Sequence, residues 1–180
     1  MQKIIVKIDN ENDEWLGKNI DCYIVGSNLS EKFTADFSAK ARKLDKIVLA
    51  DGMDAVKLCK ELDLDGVIID LSSTEKIKQE MDEAKSEIGS GKFLGVITRS
   101  RRHEAMIVSE NEPDFVIFKV WKDGFDKLQE LLDWYLEFFL LQLAIIPQDD
   151  DMALDKIDAD IIIFDEKKYK IFVDKNESLD

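Results

Sequence analysis

Short runs of Val, Ile, Leu and Phe punctuate the chain, and polar amphipathic stretches separate them. The runs are Ile4–Ile8, Cys22–Val25, Ile47–Ala50, Gly66–Ile69, Phe93–Ile97, Phe115–Phe118, Leu141–Ile146 and Ile161–Phe164. Each is nearly continuous in apolar residues and does not alternate, the pattern of strands covered on both faces. Helical periodicity fills Glu31–Leu44, Met53–Leu62, Thr74–Ile88, Arg101–Glu110, Phe125–Phe139 and Met152–Ile157. In the fifth of these, Leu128, Leu131, Leu132, Tyr135 and Phe139 share one stripe. Ser30, Ser73 and Asp149–Asp151 stand just before helical stretches and supply acceptors for free N–H groups.

Strand–helix alternation predicts parallel strands covered by helices. Eight strands predict a closed (β/α)8 barrel. At 180 residues the chain is short for that fold, which has about 250 as its typical length and about 200 as its usual lower end. The deficit falls at Asp9–Asp21, too short for a full helical crossover. The first βα unit is therefore shortened, with at most a single turn around Trp15-Leu16. Residues 1–173 form one barrel domain and 174–180 a polar tail.

Composition narrows the function. With 45% hydrophobic residues the chain can build a core, which excludes disorder. A net charge of −14 argues against a nucleic-acid partner, whose phosphates need a basic face. No apolar run approaches the roughly 18 residues of a membrane span, and the strand-like start leaves no room for a signal peptide. Cys22 and Cys59 are too few for a disulfide framework, so a cytoplasmic location is expected.

Gly95-Val96-Ile97-Thr98-Arg99-Ser100, then His103-Glu104-Ala105, then Pro113-Asp114-Phe115-Val116-Ile117-Phe118 resembles the thiamine-phosphate synthase and thiazole tautomerase superfamily. Ile47–Asp54, Asp65–Ile69, Leu143–Pro147 and Asp158–Asp160 are similar to further stretches of that superfamily, so the resemblance runs from Ile4 to Phe164. It implies the barrel and a phosphorylated ligand. The departures fall on ligand positions. Ile146-Pro147 replace the tandem glycines of the phosphate site, Ile24-Val25-Gly26 replace the pyrophosphate clamp, Lys119-Val120 replace a Gly-Pro, and Ser73 stands near the second metal Asp. These substitutions predict a divergent member, pseudoenzyme-like, without the synthase reaction; whether any catalysis remains is left open. Asp70, Thr98 and Lys119 also resemble the phosphoacceptor, switch Thr and Lys of a two-component receiver domain. That alternative needs an open sheet of five strands and an acidic pair where Gly26-Ser27-Asn28 stands.

Candidate chemistry gathers at strand ends. Arg99, Ser100, Arg101, Arg102 and His103 hold three of the four arginines and the only histidine. They open a helix, where the dipole disfavours cations. Thr98, Arg99, Ser100, His103 and Lys119 are candidates for binding a small anion such as a phosphorylated molecule; the alternative is a salt-bridged rim with Ser100 as helix cap. Asp9, Asp51, Asp70, Asp149 and Asp165 lie at or beyond strand C-termini, the face that carries barrel active sites. Asp51 and Asp70 end adjacent strands and are the candidates for a weak Mg²⁺ site, or serve as caps. The aromatic run Trp134, Tyr135, Phe138 and Phe139 is core, except that any exposed member marks a homodimer contact. Trp121 follows Lys119 at the presumed mouth as a plug or a stacking surface.

Overall fold

In the computed structural model, which describes residues 2–177, eight parallel strands close on themselves in chain order. They are β1 Lys3–Lys7, β2 Cys22–Gly26, β3 Ile47–Asp51, β4 Gly66–Asp70, β5 Phe93–Ile97, β6 Phe115–Val120, β7 Gln142–Pro147 and β8 Ile161–Asp165. Closure is made by β1 on β8, with Lys3 to Lys7 in register with Ile161 to Asp165. This is the small (β/α)8 barrel the alternation predicts. It overturns the receiver alternative, whose sheet is open and five-stranded. The helices among the described residues are α1 Glu31–Lys43, α2 Ala55–Glu61, α3 Ile77–Ile88, α4 Arg102–Glu110, α5 Phe125–Phe138 and α6 Glu166–Glu177.

Period-two alternation along each strand divides the apolar residues into two shells. Ile5, Ile24, Leu49, Ile68, Ile117 and Ile163 point inward and pack with one another. Their neighbours Val6, Tyr23, Val48, Val67, Val116 and Ile162 belong to the outer core beneath the helices. The Phe115 ring fills the barrel interior beside Gly95, where a Cβ would come within 2.4 Å of the ring, so only glycine fits. On α5 the predicted stripe is buried through Leu128, Leu131, Leu132 and Tyr135, each contributing roughly 1.5–3 kcal/mol.

Four aspartates stitch the bottom of the barrel. Asp21, Asp65, Asp114 and Asp160 each precede an even-numbered strand. Through Oδ2 they accept the amide N–H of Ile4, Val48, Leu94 and Leu143, the second residue of the preceding odd strand, at 2.7–2.8 Å. Each returns its own N–H to the carbonyl of that same residue at 2.9 Å. The strands are thereby tied in pairs, β1 to β2, β3 to β4, β5 to β6 and β7 to β8. Crossovers inside the pairs are short: none helical, then seven residues in α2, nine in α4 and a three-residue 3-10 turn at Leu154–Lys156. Helices between the pairs are long, with 13, 12 and 14 residues in α1, α3 and α5. The missing length is therefore shared by the inner crossovers and is not confined to the first.

Where the first helix would lie, Trp15 is buried in its place. Its indole N–H donates to Glu166 Oε1 at 2.8 Å, and its ring meets Tyr169 edge-on at 5.3 Å. The helix predicted over Met152–Ile157 is absent apart from the 3-10 turn. Asp149, Asp150 and Asp151 do not cap it, because they reach sideways to Lys122 and Lys167. Helix α6, not predicted from the sequence, follows β8 directly. It runs through the assigned tail boundary at Asp174, and residues 178–180 lie outside the described residues. Ser30 caps α1 as predicted, accepting Phe33 N–H at 3.2 Å. Ser73 does not cap α3, which begins three residues beyond Thr74. Tyr135 is fully buried, whereas Phe138 and Leu140 are exposed. No helix among the described residues is long and apolar enough to cross a membrane.

Candidate functional site at the barrel mouth

Strand alternation that puts Ile5, Leu49, Ile68, Ile117 and Ile163 inside the barrel puts Lys7, Asp51, Asp70, Lys119 and Asp165 inside two residues later, at the C-terminal mouth. A cavity of about 1070 Å³ opens there. Its floor is apolar, from Ile24, Ile68, Ile97, Ile146 and Ile163, and its wall is charged.

The charges come as pairs. Lys7 Nζ lies 2.9 Å from Asp51, Lys119 Nζ 2.8 Å from Asp70, and Lys168 Nζ 2.7 Å from Asp165. Gly26 makes the first pair fit. A Cβ there would sit 2.8 Å from Asp51 Oδ1, so a side chain would displace the carboxylate. Partial burial opposes ionisation of Asp70, but hydrogen bonds from Lys119 and from Ser72, through its hydroxyl and amide, outweigh it and hold the carboxyl below its usual range. Asp9 goes the other way. Desolvation at the cavity wall raises its proton affinity, with the charges of Glu166 and Asp165 adding to the effect, and Lys7 and a hydrogen bond from the Glu166 backbone N–H opposing it.

Glu166 organises this side of the mouth. Its buried carboxylate accepts the amides of Asp9 and Asn10 at 3.0 Å, the Asn10 side chain at 2.8 Å and the Trp15 indole. Its donors are all neutral, so the charge is held by hydrogen bonds alone. The seat after strands seven and eight, where barrels commonly hold phosphate, is filled by the chain's own acids. Asp165 Oδ1 accepts Lys168 N–H at 2.7 Å at the start of α6, and Asp150 pairs with Lys167 and Lys168. Pro147 gives no N–H there.

Of the residues singled out for an anion, Lys119 lines this cavity. Thr98, Arg99, Ser100 and His103 are not among its lining residues. Arg99 Nε donates to the Ser72 carbonyl, and its guanidinium lies 3.6 Å from Glu104. Arg101 lies 3.9 Å from the same Glu104, and Arg102 stacks 5.1 Å above the Trp134 ring. The arginines are thus compensated within the chain. Ser100 does not cap α4: Arg101 occupies the cap position, without a side-chain bond. His103 is exposed on the first turn, and the Thr98 hydroxyl is buried without a hydrogen-bond partner among the described residues. Asp51 and Asp70 reach the mouth as expected, but each is given to a lysine. No group of three or more His, Cys, Asp or Glu side chains gathers to hold a metal among the described residues. Asp149 turns away to the Lys122 amide. Trp121 is half exposed and is not among the cavity-lining residues. Sequence reasoning missed Lys7 and Lys168. Lys7 was legible as the next inward position after Ile5; Lys168 lies on the unpredicted helix.

No protein-family model and no curated protein matches the chain. Solved structures share its fold. KGPDC from Streptococcus mutans, in a ligand complex, superposes with a TM-score of 0.70 at 13% identity, over 99% of both chains. Thiamine phosphate pyrophosphorylase from Pyrococcus furiosus gives 0.64 at 16% identity over 96% of both. 3-Keto-L-gulonate-6-phosphate decarboxylase from Vibrio cholerae gives 0.62 at 13% identity over 98% of both. The likeness to thiamine-phosphate synthase is therefore one of several within the barrel fold.

Proposed function

We propose that this barrel binds a small phosphorylated polyhydroxy molecule at its mouth, through Lys7 and Lys119, and does not carry out the thiamine-phosphate synthase reaction. The observation that carries the reading is the ring of Lys–Asp pairs on the C-terminal face. Each pair offers ammonium donors beside carboxylate acceptors, which suits hydroxyl groups that both give and take hydrogen bonds. The lysines attract a phosphate, but four aspartates share the mouth, and Glu80, Glu83 and Glu87 of α3 also line the cavity. At about 4 Å and an effective dielectric near 20, each like-charge contact costs about 4 kcal/mol. A bare phosphate is therefore a poor ligand, and one carried by a hydroxylated skeleton is a better one. Two of the similar structures are named for phosphorylated compounds, thiamine phosphate and 3-keto-L-gulonate 6-phosphate, which agrees with this class. The synthase reaction is set aside because Asp150, Asp165 and Pro147 occupy the seat of its phosphate.

Thermal shift and titration calorimetry test the reading. A pentose 5-phosphate raises the melting temperature saturably, ribose and inorganic phosphate do so far less, and Lys7→Ala and Lys119→Ala each abolish the rise. Arg102→Ala retains it. A pentose phosphate that does nothing beyond an ionic-strength control refutes the proposal, and condensation of the thiazole phosphate with the pyrimidine pyrophosphate refutes its second half.

A further inference from the structure

Three of the four mouth aspartates are committed, because Asp51, Asp70 and Asp165 each hold a lysine ammonium within 2.9 Å. The Asp9 carboxylate holds no lysine or arginine in an ion pair among the described residues; its one hydrogen-bonding partner there is the backbone N–H of Glu166, and it lines the same cavity. Its backbone, by contrast, is pinned on both sides. The Asp9 N–H donates to Glu166 Oε2 at 3.0 Å, and its carbonyl accepts from Asn28 Nδ2 at 3.2 Å. A fixed backbone that presents to a cavity a carboxylate not neutralised by an ion pair is a preorganised proton acceptor.

We propose that Asp9 transfers the proton when a phosphorylated ketose occupies the mouth, taking it from the carbon next to the carbonyl. This rests on the reading of the mouth as a phosphorylated polyhydroxy site. The groups that face Asp9 are Lys7 on β1, Asp165 on β8 and Glu166 at the start of α6, with Asn28 from the loop after β2. The environments of the mouth carboxylates drive their proton affinities apart, Asp70 downward and Asp9 upward, which is the separation that divides an electrostatic role from an acid–base role. In the step, the C–H bond breaks and its proton passes to the Asp9 carboxylate. The electron pair moves onto the carbonyl oxygen, which becomes an enolate facing the Lys7 ammonium, two residues back on the same strand face. Returning the proton to carbon restores the ketose, so nothing is oxidised or reduced.

Dihydroxyacetone phosphate in D₂O is the probe, with deuterium incorporation next to the carbonyl followed by proton NMR and binding followed by thermal shift on the same samples. The wild-type protein exchanges the carbon-bound proton above the buffer rate, and Asp9→Asn lowers that rate by about a hundredfold while keeping the thermal shift. Asp9 is exposed, holds no ion pair, and Asn keeps an acceptor oxygen for the Glu166 N–H, so this variant folds. Glu166→Gln removes one of the charges that raise the proton affinity of Asp9, and it moves the midpoint of the exchange–pH profile to lower pH. A structural role for Asp9 predicts no such move. Binding without exchange, or exchange undiminished in Asp9→Asn, overturns the Asp9 proposal and leaves the mouth reading standing. Absence of both binding and exchange overturns the two together.

Discussion

Replacing Glu166 with alanine removes one carboxylate and strands four donors. Two are backbone amides, of Asp9 and Asn10, one is the Asn10 side chain, and one is the indole of Trp15, which is only 9% exposed. Water can reach the Asn10 side chain and the loop amides, so each of those costs at most about 0.5–1.5 kcal/mol. The indole cannot be rehydrated without moving Trp15 off Tyr169, and a buried unsatisfied donor costs about 1–3 kcal/mol. The expected loss is about 3–5 kcal/mol. For a chain of this size each kcal/mol lowers the melting temperature by about 2–4 °C, so the variant melts roughly 10 °C below wild type in circular dichroism at 222 nm. Glu166→Gln keeps an acceptor for the indole and loses about half as much. A Glu166→Ala loss under about 1 kcal/mol in urea titration refutes the argument that this carboxylate anchors Trp15 in the place of the missing first helix.

The stitches give a second expectation: Asp114→Ala leaves the N–H of Leu94, a fully buried residue, unmet and costs about 1–3 kcal/mol, whereas Asp114→Asn keeps an acceptor and costs less, both read from urea midpoints. Asp70 supplies an acid-side expectation. Its folded-state proton affinity is depressed, so its contribution is present above the ordinary carboxylate range and is lost as pH falls through the lowered folded value; Asp70→Asn flattens the acid limb of the stability–pH curve below about pH 4 and leaves the limb above pH 6 unchanged. Burial pushes the thiols of both Cys22 and Cys59 up, so neither reacts with a maleimide at pH 7 until the chain is unfolded, which mass spectrometry reads directly.

The barrel was legible because its strands carry their signal locally. Runs such as Cys22–Val25 and Phe115–Phe118 are buried on both faces and need no context to read. Helix α5 was legible for the same reason, through its one apolar stripe. Helix α6 was not, since Lys167, Lys168 and Lys170 crowd its first turns and its buried Tyr169 pairs with a Trp15 far away in the chain. The triple aspartate before Met152 misled because carboxylates cap a helix or bind lysines equally well, and which partner wins is decided by Lys122 and Lys167 in space. The site shows the same division. Asp51, Asp70 and Lys119 were found as polar ends of strands, while the lysine partners of the two aspartates depend on barrel register. The arginine cluster stood out in composition, yet its compensation by Glu104, Ser72 and Trp134 is a property of packing.

The aspartate stitches also govern where the chain can be cut and rejoined. The turn Gly89–Gly91 joins α3 to β5, between two stitched pairs, and both of its glycines hold the left-handed backbone of an open turn. New ends placed there leave every stitch within its own continuous segment. New ends at residues 63–65, by contrast, separate Asp65 from the Val48 it ties, and the pair must find its register without a covalent guide. The four pairs therefore act as modules whose order along the polypeptide is negotiable while their internal pairing is not. A circular permutant opened at Ser90 keeps the barrel, and one opened at Leu64 gives up the covalent guide of one of the four strand pairs.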